Sequence, residues 1–431
     1  MKTPRKVKIT TSLENINSFG GLNFISTEFE QLELPKLITS ILGKRSLLAT
    51  YEYSDVVKNI WMILFSGGDC AEDIQTNLKS ELSNVLNMKI CSADTLLRLQ
   101  KELCLAKEIH ISKNNVTNEF SNNAVLNKLN LAILILTKQL KSGQSYDLDF
   151  DNQFIACEKY DAKKGYKMKR GYFPGIATIG KNIVYLENRN GNSNVKFKQE
   201  ETLAKVYEIL NTNGIKIKRS RMDCGSFTKA VIKVVAENSE LFYIRAQRCA
   251  ELTATIKAVK KWKKVTINSK EFEVASVHYK PFNEDKSYRY VVSREANKTN
   301  QIDAFQGDNF IYRAIITSDY QMSDQEIVFY YNQRGGSEKI FDEMNNDFGW
   351  GNLPFSFLEE NTVYMLITAM CRNFYLYFLE KISNKIPFIE NTFRLKKFIF
   401  RFVVVPYKWI KKGGQKTLKL FTDKPYNLVF E

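Results

Sequence analysis

In residues 145–153, Asp147, Asp149 and Asp151 recur at every second position, with Leu148 and Phe150 between them. A β-strand sends such residues to opposite faces: three carboxylates on one, two apolar side chains on the other. Aspartate is a poor strand residue, and like charges on one face repel, so something must offset the repulsion if the stretch is extended. Solvent along a sheet edge is one way. A divalent cation at the end of a central strand is the other.

The elements around this stretch give it a setting. Two strand-like runs follow it (172–179 and 182–188), then a helix (199–211), a strand (215–222) running into Asp223, a second helix (227–236) and a further strand (241–246). This order permits a crossover that lays 215–222 parallel to the acidic strand. Asp151 and Asp223 would then project from the carboxyl ends of neighbouring central strands, where open α/β sheets place their sites. Gly175 to Lys181 matches the start of a P-loop, but Asn182 replaces the Ser or Thr and a strand follows, so nucleotide binding there is set aside.

Composition narrows the chemistry. The chain has 431 residues, 44% apolar and 26% charged, with a net charge of +16 that suits a polyanionic partner. Its seven cysteines form no Cys-x-x-Cys pair, and its two histidines, His110 and His278, lie far apart. These exclude a zinc knuckle, a disulfide framework and a histidine-rich site; His278, in an alternating run, reads as structural. A metal would therefore be held by carboxylates, which favours Mg²⁺ or Mn²⁺. No apolar segment follows the basic start, and the run 363–371 is too short to span a bilayer, so a cytoplasmic, nucleoid-associated protein is expected.

Residues 1–142 read as mostly helical. Lys2, Arg5, Lys6 and Lys8 form a basic arm; Ser54 and Asp55 can cap 56–65, and Ser92 can cap 94–103, which exposes Arg98. Short helices with exposed basic residues suit a DNA-binding module, and a plain helical bundle fits as well. Residues 126–140 carry an apolar stripe at helical spacing. Residues 248–310 read as a β-rich insertion, in which Trp262 among lysines either stacks on a base or anchors the insertion. Ser323 and Asp324 can cap a helix that places Tyr331, Arg334 and Glu338 on one face, interrupted by Gly335 and Gly336. A core helix (361–379) and a basic tract with a hairpin at Lys412-Gly413-Gly414-Gln415 complete the chain.

Asp151, Asp223 and Glu338 thus form a candidate triad able to share two divalent metals, one activating the attacking oxygen and the other stabilising the leaving oxygen. At this point the chain resembles the DDE transposases of bacterial insertion sequences, specifically the thirteen-eighty family. Leu148-Asp149-Phe150-Asp151 resembles the first-aspartate strand, and Arg221 to Phe227 the second-aspartate motif. Arg189-Asn190-Gly191-Asn192 resembles the turn between them, and Tyr331 to Glu338 fits Tyr-x2-Arg-x3-Glu. Gln153 replaces a usual threonine and Asn345 a usual lysine.

The resemblance implies an α/β, ribonuclease-H-like mixed sheet interrupted by a β-rich insertion, with a helical N-terminal DNA-binding domain. The segments are 1–142, catalytic 143–247, insertion 248–310, catalytic 311–385, and a basic tail 386–431. It implies cleavage and strand transfer at terminal inverted repeats with two Mg²⁺ or Mn²⁺ ions on Asp151, Asp223 and Glu338, with Asp149 as the reserve for the first acid. Tyr331 and Arg334 would contact a terminal phosphate, Trp262 and Arg98 other parts of the DNA, and a homodimer would hold two ends and the target. A catalytically inactive or repurposed DNA-binding relative and a non-transposing nuclease of the same fold remain as alternatives.

Overall fold

The computed structural model describes residues 8–11, 13–166, 168–283, 286–297 and 310–429. Lys2, Arg5 and Lys6 of the basic arm and residues 298–309 of the expected insertion lie outside these. The strands β1 (Glu108–Ile111), β2 (Thr117–Ser121), β3 (Ser145–Asn152), β4 (Gly175–Ile179), β5 (Asn182–Arg189), β6 (Lys216–Met222), β7 (Leu241–Arg245), β8 (Lys263–Ile267), β9 (Lys270–Tyr279), β10 (Tyr288–Ala296) and β11 (Phe310–Thr317) form one mixed sheet. Its order is β1-β2-β5-β4-β3-β6-β7-β11-β10-β9-β8.

The acidic stretch is β3, near the middle of this sheet. β3, β4 and β5 form an antiparallel meander, and a tight turn at Gly180 and Lys181 makes the P-loop-like string a hairpin. The chain then crosses over through a helix (Gln199–Thr212) to β6, which pairs parallel with β3, and through another (Lys229–Asn238) to β7, parallel with β6. The order β5-β4-β3-β6-β7 is the ribonuclease-H-like arrangement that the family resemblance implies, and it contains the parallel crossover expected from the element order. Leu148 and Phe150 enter the core beneath these two helices, with Val206, Leu210, Val231 and Val235.

Strands β8, β9 and β10 pair in series and join β11. The described strands of the segment read as an insertion therefore lengthen the main sheet. The N-terminal reading needs a correction of a different kind. The segment expected to be helical also contains the β1–β2 hairpin, which joins β5 where Phe120 pairs with Arg189. These strands are only four and five residues long; besides the backbone pairing, the Arg189 guanidinium lies 4.0 Å from the centre of the Phe120 ring and Asn190 donates to Glu119.

The N-terminal helices share one core with the C-terminal part of the chain. Helix α1 (Tyr53–Phe65) starts earlier than expected, because Glu52 and Asp55 form the capping box. The Trp61 indole N–H donates to the Ile367 carbonyl (3.0 Å) in helix α2 (Leu358–Ser383). Helix α2 is buried on nearly every side, as its lack of a polar face requires. Two of its buried polar side chains bond across to other elements: Arg372 to Glu343 and the Lys181 carbonyl, Asn373 to Asn130 and the Ile183 carbonyl. Among the described residues no helix is long and apolar enough to cross a membrane.

Because Trp61 bridges the two ends of the chain, Trp61→Ala should lower the unfolding free energy by about 3–5 kcal/mol, as for other buried tryptophans. Urea unfolding followed by circular dichroism checks this. A shared core further predicts that the N-terminal helices and the sheet unfold in the same transition.

Candidate metal and DNA site

The carboxylates of β3 are met by a row of arginines. Asp147 accepts two hydrogen bonds from Arg219 (2.8 and 2.7 Å), and Asp149 two from Arg221 (both 2.7 Å). Asp151 accepts one from Arg334 (2.8 Å). Both Arg219 and Arg221 lie over the Tyr330 ring, at 4.2 and 4.5 Å. The strict alternation of Ile217, Arg219 and Arg221 would put all three on one face. A register shift between Tyr146/Ile217 and Asp147/Arg219 leaves Lys218 as an extra residue. That bulge turns the two arginines away from the core side that receives Ile217 and onto the aspartate face.

This row sorts the acids. Both oxygens of Asp149, the reserve for the first acid, are taken by Arg221, whose remaining terminal nitrogen donates to the Tyr330 carbonyl (2.7 Å). Burial raises the affinity of Asp149 for a proton even against Arg221. The pair is thus costly to desolvate and is felt most when one partner is lost. Asp151 is less committed: its Oδ1 accepts only the Asn152 N–H (3.0 Å) and its Oδ2 only Arg334.

Strand β6 ends at Met222, which pairs with Phe150, so Asp151 and Asp223 follow directly from paired residues at the carboxyl ends of the two strands. Asp223 caps the short turn Cys224–Ser226, its Oδ1 accepting the Gly225 N–H at 2.9 Å. A side chain at position 225 would come within 3.0 Å of that oxygen and 3.1 Å of Val195, which accounts for the glycine. Burial, with the nearby charge of Asp223, pushes the Asp151 carboxyl above its ordinary range, while Arg334 pulls it down.

Tyr331, Arg334 and Glu338 do not occupy one continuous helix. Helix α3 (Asp324–Asn332), opened by a Ser323–Glu326 capping box, gives way to a tight turn at Gln333–Gly335 before α4 (Gly336–Asp347). Nothing lies within 4 Å of a side chain built at Gly335 or Gly336, so the glycines mark a local break and not a close backbone approach. Tyr331 is buried and its hydroxyl donates to the Met222 carbonyl (3.0 Å). In this structure it ties α3 to the end of β6, where a phosphate contact was expected. Glu338, on the first turn of α4, is exposed.

Among the described residues, the one group of three potential ligands with atoms all within 4.8 Å of one another is Asp69, Cys70 and Asp73. Asp151, Asp223 and Glu338 are not drawn that close. Asp151 and Asp223 nevertheless make a fitting half-site for a hard divalent cation. They are two carboxylates at neighbouring strand ends, they repel one another, and the cation now relieving that repulsion is Arg334.

Trp262 is half-buried, with its indole N–H on the Val259 carbonyl (3.1 Å) and one face under Arg294 at 4.2 Å. Arg98 is exposed and paired with Glu102 at 3.0 Å. Asn345 is half-buried, its side-chain oxygen without a hydrogen-bond partner, as is that of Gln153. His278 stacks on Tyr320.

Sequence reasoning passed over Arg219 and Arg221, although their period-two spacing matches that of the aspartates. It also passed over Arg245 at the end of β7, whose pKa burial lowers, with Arg313 and Arg334 acting in the same direction and Tyr331 against them. The turn at Arg189 to Asn192 is a buried node: Arg189 bonds Glu187, Thr202 and the Phe197 carbonyl, and Asn190 bonds Glu119 and the Asp161 carbonyl.

Asp149→Ala should cost about 3–5 kcal/mol in unfolding free energy, because it leaves Arg221 buried without its anion. Chemical denaturation measures it, and a loss under 1 kcal/mol would remove the structural role given to this pair.

A family model described as transposase DDE domain group 1 matches residues 1–431. No curated protein matches the chain. Among solved structures, the cryo-EM structure of the piggyBac transposase synaptic complex with hairpin DNA is similar to it. The TM-score is 0.43 at 10% identity, over 89% of this chain and 78% of that one.

Proposed function

The chain belongs to the DDE transposase family, and from that premise we propose that it cuts and rejoins DNA at the inverted-repeat ends of an insertion sequence of the thirteen-eighty type. The observation that carries this reading to particular residues is the pairing of Phe150 with Met222, which makes Asp151 and Asp223 neighbours at adjoining strand ends. On this reading Asp151 and Asp223 hold Mg²⁺ or Mn²⁺ and Glu338 completes the set. Bound there, two such ions supply Lewis-acid activation of the attacking oxygen and neutralise charge on the leaving oxygen.

The chain's own residues do the positioning. Arg334, four residues before Glu338, is the charge that a metal held by Asp151 would displace, and its planar fork would then be available to a backbone phosphate. Arg245, which follows Ile244 where β7 pairs with Met222 of β6, adds a second positive charge at this end of the sheet. Glu338 would have to turn inward to join Asp151 and Asp223; α4 itself is held by Ile340, Phe341 and Met344 in the core, so the room for this lies in the turn before it, where Gly335 and Gly336 have open space around them. Tyr331 keeps α3 fixed to β6 throughout, so the adjustment is confined to the turn at Gln333–Gly335. Two copies of the chain, one at each end of the element, complete the proposal.

One observation favours a second reading, a DNA-binding relative without catalysis: Arg334 occupies Asp151 and Glu338 faces outward. A labelled duplex carrying the element's terminal repeat separates the two. With Mg²⁺, the catalytic reading predicts strand cleavage that chelation abolishes, and Asp223→Ala should reduce cleavage by at least ~10³-fold while leaving binding within about twofold. Intact ends together with salt-sensitive binding would favour the non-catalytic relative.

A further inference from the structure

The C-terminal hairpin, Tyr407–Lys412 and Gln415–Leu420, has no part in the site described above. It forms a two-stranded sheet of its own. Gly413 and Gly414 both take positive φ (57° and 81°), as a two-residue hairpin turn requires. A lone hairpin is marginal in water, and this one is secured at its base. Tyr407 is buried and bridges to Asn17, and the Trp409 indole N–H donates to the Asn84 carbonyl (2.7 Å). The far half reaches into solvent, with residues 411–417 all exposed.

The charge on this ribbon is one-sided. Residues 407–420 contain five lysines and no acid. The register places Lys408 opposite Lys419 and Lys411 opposite Lys416. Like charges directly across a strand pair are destabilising. At the base the cost is relieved, since Lys408 pairs with Glu14 at 2.8 Å. At the tip, Lys411, Lys412 and Lys416 have no ion pair among the described residues. A firmly based ribbon with an unneutralised basic tip fits a polyanion, and the major groove of B-form DNA is wide enough to admit two strands.

We propose that this hairpin is a DNA-contacting ribbon whose Lys411, Lys412 and Lys416 engage the phosphates of duplex DNA. The inference rests on DNA being the partner and is independent of whether the chain cuts it. Each lysine that neutralises a phosphate adds about 0.9 to the dependence of log affinity on log salt.

The test uses the full chain, a labelled duplex of about 30 base pairs of arbitrary sequence, and fluorescence anisotropy in chelator across roughly 50–200 mM salt. Replacing all three lysines with glutamine should lower the salt slope by about 2–3 and weaken binding at 0.1 M salt by at least ~10-fold. The triple arginine variant should keep both. An unchanged unfolding midpoint shows that the glutamine variant remains folded, as these exposed positions predict. If the parent protein binds duplex and the glutamine variant binds with the same slope, the hairpin assignment alone is overturned. If the parent binds no duplex at low salt, the DNA reading falls with it. Loss of binding to phosphatidylserine vesicles in the glutamine variant, with duplex binding intact, would assign the ribbon to a membrane surface and overturn the proposal.

Discussion

One extra residue in β6 governs the centre of the molecule. Lys218 has no partner in the parallel pairing with β3, and the bulge it makes shifts every later residue of β6 by one place. Arg219 and Arg221 are thereby brought opposite Asp147 and Asp149, and Met222 opposite Phe150. Without the shift, Asp149 would face Ser220, whose hydroxyl instead bonds Tyr207 on the other side of the sheet. The bulge thus both neutralises the acidic face and leaves Asp151 and Asp223 side by side beyond the last arginine. Bulges recur beside functional sites because they re-aim side chains in this way.

The row of acids has a gradient of commitment. Asp147 and Asp149 each hold an arginine with both oxygens, whereas Asp151 shares a single contact with an arginine from a different element. The first two pairs belong to the sheet and move with it. The third joins β3 to the turn at Gln333–Gly335, whose glycine has open space around it. On the proposed reading, Arg334 is the charge that a bound cation would displace from Asp151. Tyr331, with its hydroxyl on Met222, fixes the near end of the same element.

Much of this was legible in the chain itself. The alternation of Asp147, Asp149 and Asp151 with Leu148 and Phe150 gave the strand and its two faces. The order of strands and helices gave the crossover to β6, and Ser92 and Ser323 marked helix starts that the structure retains. The hairpin at Gly413 and Gly414 was readable from its turn residues. Other features were not, for identifiable reasons. β1 and β2 are four and five residues long, too short for a period to stand out, and only β2 pairs with β5. A helical wheel assumes an unbroken helix, so it could not show that the turn before Gly336 separates Glu338 from Tyr331. The arginine partners depend on a one-residue shift that no pattern in β6 announces; the plain alternation of Ile217, Arg219 and Arg221 suggests the opposite face.

The central claim is that Asp151 and Asp223, and not Asp149, are the carboxylates offered to a cation. Anomalous scattering from crystals soaked in Mn²⁺ tests it most directly. A peak bridging the Asp151 and Asp223 side chains, with Arg334 moved off Asp151, is the predicted result. A peak at Asp149 with Arg221 displaced, or an intact Asp151–Arg334 pair with manganese bound only elsewhere, would contradict it.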